Sequence, residues 1–266
     1  MFKYKAGFVG AGNMGGALAD AVCKKCDGDN VIISCKNIDK AKSIAEKLGC
    51  DYATADEVVI NSEFVFLGVK PQVIEDVAKQ LRKYFDENKD CIIVSMLAGV
   101  TTEKLKNLFG EKKIIRIMPN TPSAVGEGMI LVCGNSYVTE DDMSNFMDMM
   151  SLCGKLDRID EALIDAGTAV SGCGPAFVYM FIDAMADAGI KCGLSREQAV
   201  KYAAQTLIGS AKMVVETGIH PDDLKNAVCS PGGSTIEGVK SLENDDLKDT
   251  VIRAVEASYN KTKRLG

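Results

Sequence analysis

Hydrophobic positions change their period once along this chain, near residue 161. Before that point, short apolar, β-branched runs alternate with longer stretches whose apolar positions recur at helical spacing. The runs at 5–9, 31–34, 64–68, 91–95 and 113–118 predict strands, and 129–132 adds one more. The stretches 14–22, 39–48, 73–85 and 101–108 predict the helices between them. Thr139 with Asp142 resembles a capping box that opens a further helix running to about 151. Strand, helix, strand, helix is the signature of an α/β doubly wound parallel sheet. Beyond 161 no β-branched run with turn punctuation returns. Helical stretches follow instead at 174–190, 195–216, 221–228, 235–242 and 246–263, with a second capping box at Ser195–Gln198. The chain is therefore expected to hold a sheet domain, 1–160, and an all-helical domain, 161–266.

The stretch 176–190 is apolar almost all round, and its polar positions are mainly Asp183 and Asp187. A helix of that kind must be covered on most sides. A helical domain of this size has few elements to do so, which points to a second copy of the chain and an intertwined homodimer. A central helix within one monomer is the alternative reading.

Composition narrows the choice of partner. The 266 residues are 47% hydrophobic and carry a net charge of −6, with acidic residues dispersed. Neither nucleic acid nor an anionic membrane surface is an expected partner. The opening residues do not read as a signal peptide, and no apolar run reaches membrane-spanning length. The 10 cysteines show no zinc-type paired spacing. Cys23 and Cys26 form a single C-x-x-C, and His220 is the one histidine, so no metal is expected. Many thiols without an export signal indicate a reducing, cytoplasmic setting.

Two glycine-rich segments carry the candidate chemistry. The first, Gly10-Ala11-Gly12-Asn13-Met14-Gly15, follows a predicted strand and opens a helix. Gly10 permits the tight turn, Gly12 lets the backbone approach a pyrophosphate, and Gly15 allows close helix–strand packing. This makes the first domain Rossmann-like, with a bound dinucleotide. The second strand ends Ser34-Cys35-Lys36-Asn37, without the acid that would hold an NAD ribose. A hydroxyl, an ammonium and an amide suit a 2′-phosphate, so NADPH is expected over NADH. Asp39 is read as the cap of the next helix. Val69-Lys70-Pro71 and Ala98-Gly99 lie at further strand ends that border the ligand crevice in such sheets. The second segment, Ser230-Pro231-Gly232-Gly233-Ser234-Thr235, bares backbone amides and two hydroxyls at a helix start. It can hold a carboxylate, or it can be an ordinary helix cap.

These residues resemble the Δ1-pyrroline-5-carboxylate reductase family. The matching segments are GFVGAGNMGGAL at 7–18, VKP at 69–71, RIMPNTPSAVGEG at 116–128, SGCGPAFVYMFIDAMADAG at 171–189 and HPDDLKNAVCSPGGSTIEGVKSLE at 220–243. The likeness covers essentially the whole chain, and the last segment is the most specific. The family usually has serine where Cys173 stands and often threonine where Ser234 stands. The resemblance implies a Rossmann domain and a helical dimerisation domain, often assembled as a decamer of five dimers. It implies NADPH-dependent reduction of the cyclic imine 1-pyrroline-5-carboxylate to proline. The substrate carboxylate would lie on the amides of Ser230, Gly232, Gly233, Ser234 and Thr235, and Thr235 would contact the ring nitrogen. Glu161 matches a position near the ring. Met118, Pro119 and Asn120 match the loop lining the nicotinamide pocket. His220 reads as an N-cap before Pro221.

Two rivals share part of this pattern. A β-hydroxyacid dehydrogenase has the same two-domain plan but needs a lysine proton donor, and no lysine occurs between Arg158 and Ile190. A non-catalytic dinucleotide-binding regulator would have no use for the downstream glycine loop.

Overall fold

The computed structural model describes residues 2–264. β1 (Tyr4–Val9) leads through the first glycines into α1 (Asn13–Cys26), followed by β2 (Val31–Ser34) and α2 (Ile38–Leu48). Next come β3 (Asp51–Tyr52), α3 (Ala55–Asn61), β4 (Ser62–Leu67), α4 (Ile74–Glu87), β5 (Ile92–Ser95) and α5 (Thr102–Phe109). β6 (Lys113–Met118), β7 (Gly128–Gly134), α6 (Glu140–Met149) and β8 (Gly154–Arg158) complete one eight-stranded sheet in the order β3-β2-β1-β4-β5-β6-β7-β8. Strands β1 to β6 run parallel to their neighbours, whereas β7 is antiparallel to β6. The reversal follows from the connection. Only a one-turn helix at Thr121–Val125 joins β6 to β7, and a parallel return needs a longer crossover.

Parallel strands are covered on both faces, so they are built from near-continuous apolar residues. Successive side chains divide between two cores. Ala6, Phe8, Phe64 and Phe66 pack toward α1 and Phe146 of α6, and Phe8 stacks on Phe66 with ring centroids 4.3 Å apart. Val9, Val65, Leu67 and Ile93 pack on the other face with Leu81 and Phe85 of α4 and Phe109 of α5. Three elements have no clear periodic signal. β3 is exposed, β8 is largely exposed and charged, and α3 is a short helix set by a capping box between Thr54 and Glu57.

The chain divides into two compact units. The first holds the residues up to Cys173 together with those from Ser258 on, and the second spans Gly174–Ala257. The division falls beyond the change of pattern at Glu161 because the next segment is tied to the sheet. α7 (Ile164–Gly167) and the wide helical turn Thr168–Gly172 hold Asp165 against Arg116 of β6, and Asn120 Nδ2 donates to the Ser171 carbonyl at 2.9 Å.

The second unit is helical: α8 (Gly174–Lys191), α9 (Arg196–Thr217), α10 (Pro221–Ala227), α11 (Ser234–Asn244) and most of α12 (Leu247–Thr262). The capping box at Ser195–Gln198 starts α9, and His220 Nδ1 accepts from the Asp222 amide to cap α10. Among the described residues of this unit only Ala186, Ala199 and Ala203 are buried. Tyr179 and Met180 of α8 stand 57% and 72% exposed.

Candidate active site

The topology brings the predicted cofactor residues to one edge of the sheet. β2, β1, β4, β5 and β6 are consecutive neighbours running in the same direction. The residues after their C-terminal ends therefore converge: Lys36 and Asn37 after β2, Gly10–Met14 after β1, Val69–Pro71 after β4, Ala98 and Gly99 after β5, and Met118–Asn120 at the end of β6. Ligand crevices in open α/β sheets lie at this edge.

The glycine turn is built from the backbone. Gly10 has φ +98, and a Cβ there would come within 2.7 Å of the Gly68 carbonyl oxygen. A Cβ on Gly15 would meet the Gly10 carbonyl at 2.4 Å. The amides of Gly10 and Ala11 both donate to the Ser34 carbonyl, at 3.0 and 3.1 Å. Gly12 is different. A Cβ would find nothing within 4 Å, and the start of α1 that it caps has no side-chain partner. Open space in front of uncapped helix amides fits a pyrophosphate. Gly68, expected only as the last residue of a strand, is the backbone that Gly10 packs against. Its sign in the sequence is a glycine at the end of an apolar strand.

The residues meant for the ribose divide in role. Ser34 is 3% exposed and its hydroxyl donates to the Phe8 carbonyl, so its contribution is the carbonyl that anchors the glycine turn. Lys36 is exposed. Asn37, not Asp39, caps α2: its Oδ1 accepts from the Lys40 amide at 3.1 Å, and Asp39 lies within the first turn. Lys70 is exposed at a one-turn helix begun by Pro71. Asn120 is buried, with Nδ2 on Ser171 and Oδ1 accepting from the Met129 amide at 2.9 Å. Its side chain thus ties the loop after β6 to β7 and to the helical turn at Ser171. Glu161, expected beside a substrate ring, has both oxygens engaged with Thr102, and Oε1 also meets Arg116. Arg116 and Thr102, expected only as parts of a strand and a helix, are not among the predicted site residues. A lone arginine inside an apolar strand was the available signal for the first.

In the second unit, the downstream loop is a tight turn feeding a helix. Gly233 donates its amide to the Ser230 carbonyl at 3.0 Å, Pro231 follows Ser230, and Gly232 has φ +73. Proline then glycine at the two central positions, with the second in the left-handed region, is the type II arrangement. The turn delivers Gly233 as the N-cap of α11, and no side chain caps that start. Ser234 and Thr235 occupy the first turn and are exposed. Thr235 is therefore not the helix cap. Free amides beside two hydroxyls suit a carboxylate with a further hydrogen-bonding group.

Comparison with known proteins gives these features a family. Residues 161–265 match the model described as pyrroline-5-carboxylate reductase dimerisation, and residues 5–99 match the one described as NADP oxidoreductase coenzyme F420-dependent. The pyrroline-5-carboxylate reductase of Aquifex aeolicus is 40% identical, covering 98% of this chain and 97% of its own. That of Escherichia coli is also 40% identical, covering 98% of both. The Plasmodium falciparum pyrroline carboxylate reductase, solved with NADP bound, superposes with a TM-score of 0.88 at 34% identity over 100% of both chains. With matches of this extent along its whole length, the chain belongs to the pyrroline-5-carboxylate reductase family.

Proposed function

We infer that this protein reduces 1-pyrroline-5-carboxylate to proline with NADPH, the final step of proline biosynthesis. The start of α11 carries the reading: a type II turn presents uncapped amides and the Thr235 hydroxyl side by side. A dinucleotide-binding protein without a carboxylate substrate has no need of that arrangement. NADP in the Plasmodium falciparum relative and the acid-free end of β2 both favour NADPH over NADH.

The first unit binds and orients the cofactor. Gly12 and the first amides of α1 receive the pyrophosphate, and Lys36 faces the 2′-phosphate. Val69–Pro71, Ala98, Gly99 and the loop Met118–Asn120 line the nicotinamide side. When bound, the reduced nicotinamide supplies the hydride taken by the imine carbon. In the second unit, the amides of Gly232–Thr235 hold the substrate carboxylate, and the Thr235 hydroxyl accepts from the ring N–H. A cyclic imine that arrives protonated becomes a neutral amine on hydride addition, so no strong acid is required of the protein. Orientation and electrostatics are its contribution.

The protein works as an oligomer. α8 presents Val178, Tyr179, Met180, Phe181 and Met185 with little of their own unit over them, and a second copy covers that face. The helical run Glu161–Lys191 is long and apolar enough by composition to cross a membrane, and burial in a dimer accounts for its character equally well. Five such dimers as a decamer and a cytoplasmic location complete the reading. The test mixes purified protein, NADPH and pyrroline-5-carboxylate. Loss of nucleotide absorbance with formation of proline is expected. Nucleotide binding without turnover would refute the assignment.

A further inference from the structure

β6 carries one arginine among apolar residues, and Arg116 is 2% exposed. A guanidinium removed from water costs several kcal/mol unless it is well paired. Here the pairing is loose. Nη1 lies 3.2 Å from Glu161 Oε1, Nη2 lies 3.5 Å from Asp165 Oδ1, and buried Nε has no partner. A pair of this geometry is a weak source of stability, so its use lies in placing something else.

What it places is the Glu161 carboxylate. Oε1 accepts from the Thr102 amide at 2.8 Å and Oε2 from the Thr102 hydroxyl at 2.6 Å, both closer than the arginine. Thr102 is the first residue of α5, whose own cap, Thr101, accepts from the Lys104 amide. Glu161 is thus a tie from outside the helix, and its charge suits a helix start. Just before Thr102 lies the turn closed by the Val100 amide on the Leu97 carbonyl at 3.3 Å, with Gly99 at φ +75. That turn holds Ala98 and Gly99 at the cofactor edge. One carboxylate therefore couples β6, the start of α5 and the turn after β5.

We propose that Glu161 is a positioning residue: steadied by Arg116, it grips the first amide and hydroxyl of α5 and so fixes the Ala98–Gly99 turn against the nicotinamide side of NADPH. This rests on reading that edge as the NADPH site. It assigns Glu161 to cofactor placement and not to contact with the substrate ring.

The experiment compares wild type with Glu161→Gln, Thr102→Val and Thr102→Ser. NADPH dissociation constants, KM and kcat for the imine, and melting temperatures are measured for each. Glu161→Gln and Thr102→Val should each weaken NADPH about tenfold, the scale of a lost charge-assisted hydrogen bond. The imine KM should hold, and Thr102→Ser should restore affinity to near wild type. In the double variant Glu161→Gln with Thr102→Val, the two losses should not multiply, since both cut one contact. A raised imine KM with unchanged NADPH affinity would overturn the proposal in favour of a substrate contact. Lower melting with unchanged affinity would reduce the tie to scaffolding and overturn it too. If Glu161→Gln does not fold, the Thr102 pair alone decides by the same criteria. A wild-type protein that binds no NADPH removes the cofactor reading and this inference with it.

Discussion

Lys36 is the exposed cation that follows the buried end of β2, and its neighbour Asn37 is committed to capping α2. Under the proposed function, Lys36 is the charged group offered to the 2′-phosphate, beside an Asn37 whose Oδ1 is already engaged. Lys36→Ala should weaken NADPH by roughly tenfold or more and leave NADH nearly unchanged, a difference that titration of both nucleotides would reveal. Equal losses would remove Lys36 from the phosphate. Thr235 makes the matching argument on the substrate side. Its hydroxyl is not used to cap α11, so Thr235→Ala should lower kcat/KM by about 5- to 150-fold, the value of one lost hydrogen bond, with little change in melting. Thr235→Ser should keep most activity. Intact turnover with lowered stability in Thr235→Ala would mean that the hydroxyl serves the helix alone.

At the scale of elements, the turn before α11 depends on one backbone angle. Gly232 at φ +73 lies where other residues cost about 1–2 kcal/mol. Gly232→Ala should therefore misplace the α11 amides and raise the imine KM roughly tenfold. NADPH affinity, measured on the same preparation, should stay put. A parallel loss of both would show that the loop does more than hold substrate. Elements with strong periodicity were legible from residues alone, because burial on one helix stripe or both strand faces imposes a pattern. α4 shows it through Ile74, Ala78, Leu81 and Phe85, all buried on one face. Asp51–Tyr52 and Gly154–Arg158 were not legible, since edge strands are held by backbone hydrogen bonds and need no apolar side chains.

At the scale of the molecule, the second unit buries too little to stand alone. Met180→Asp puts a charge in the exposed apolar face of α8 and should give unfolded or aggregated protein. A soluble monomer with unchanged melting, seen by light scattering and calorimetry, would contradict cover by a second copy. The sheet domain sets a different response, to alkali. Burial pushes the Cys91 thiol up to about 11, and those of Cys133 and Cys153 to about 12, from an ordinary 9.0. Above pH 9 the unfolded chain loses these protons first, so the unfolded state binds fewer protons than the native state. Stability should fall as pH rises above 9, by at most about 1.4 kcal/mol per pH unit for each thiol, until about 11 for Cys91 and about 12 for Cys133 and Cys153. Denaturant titrations at pH 8 and pH 10 should show the fall, and Cys133→Ala should reduce it by about a third, with Cys91 and Cys153 still in place. An unchanged slope in that variant would discount the thiol.

Residue order alone determined the two-part plan, the glycine turn after β1, the PGGST turn before α11 and the family. Each depends on local rules: burial periodicity, positive φ at glycine and the chemistry of helix starts. Tertiary structure decided how far apart residues in the chain share their partners. It turned Ser34 inward onto Phe8, gave the α2 cap to Asn37, reversed β7 and tied Glu161 to Thr102 and Arg116. The partners of Ser34 and Glu161 could not be read from spacing, because a buried or half-buried polar group takes whichever partner the packed chain brings within reach, and that partner can lie anywhere in the sequence.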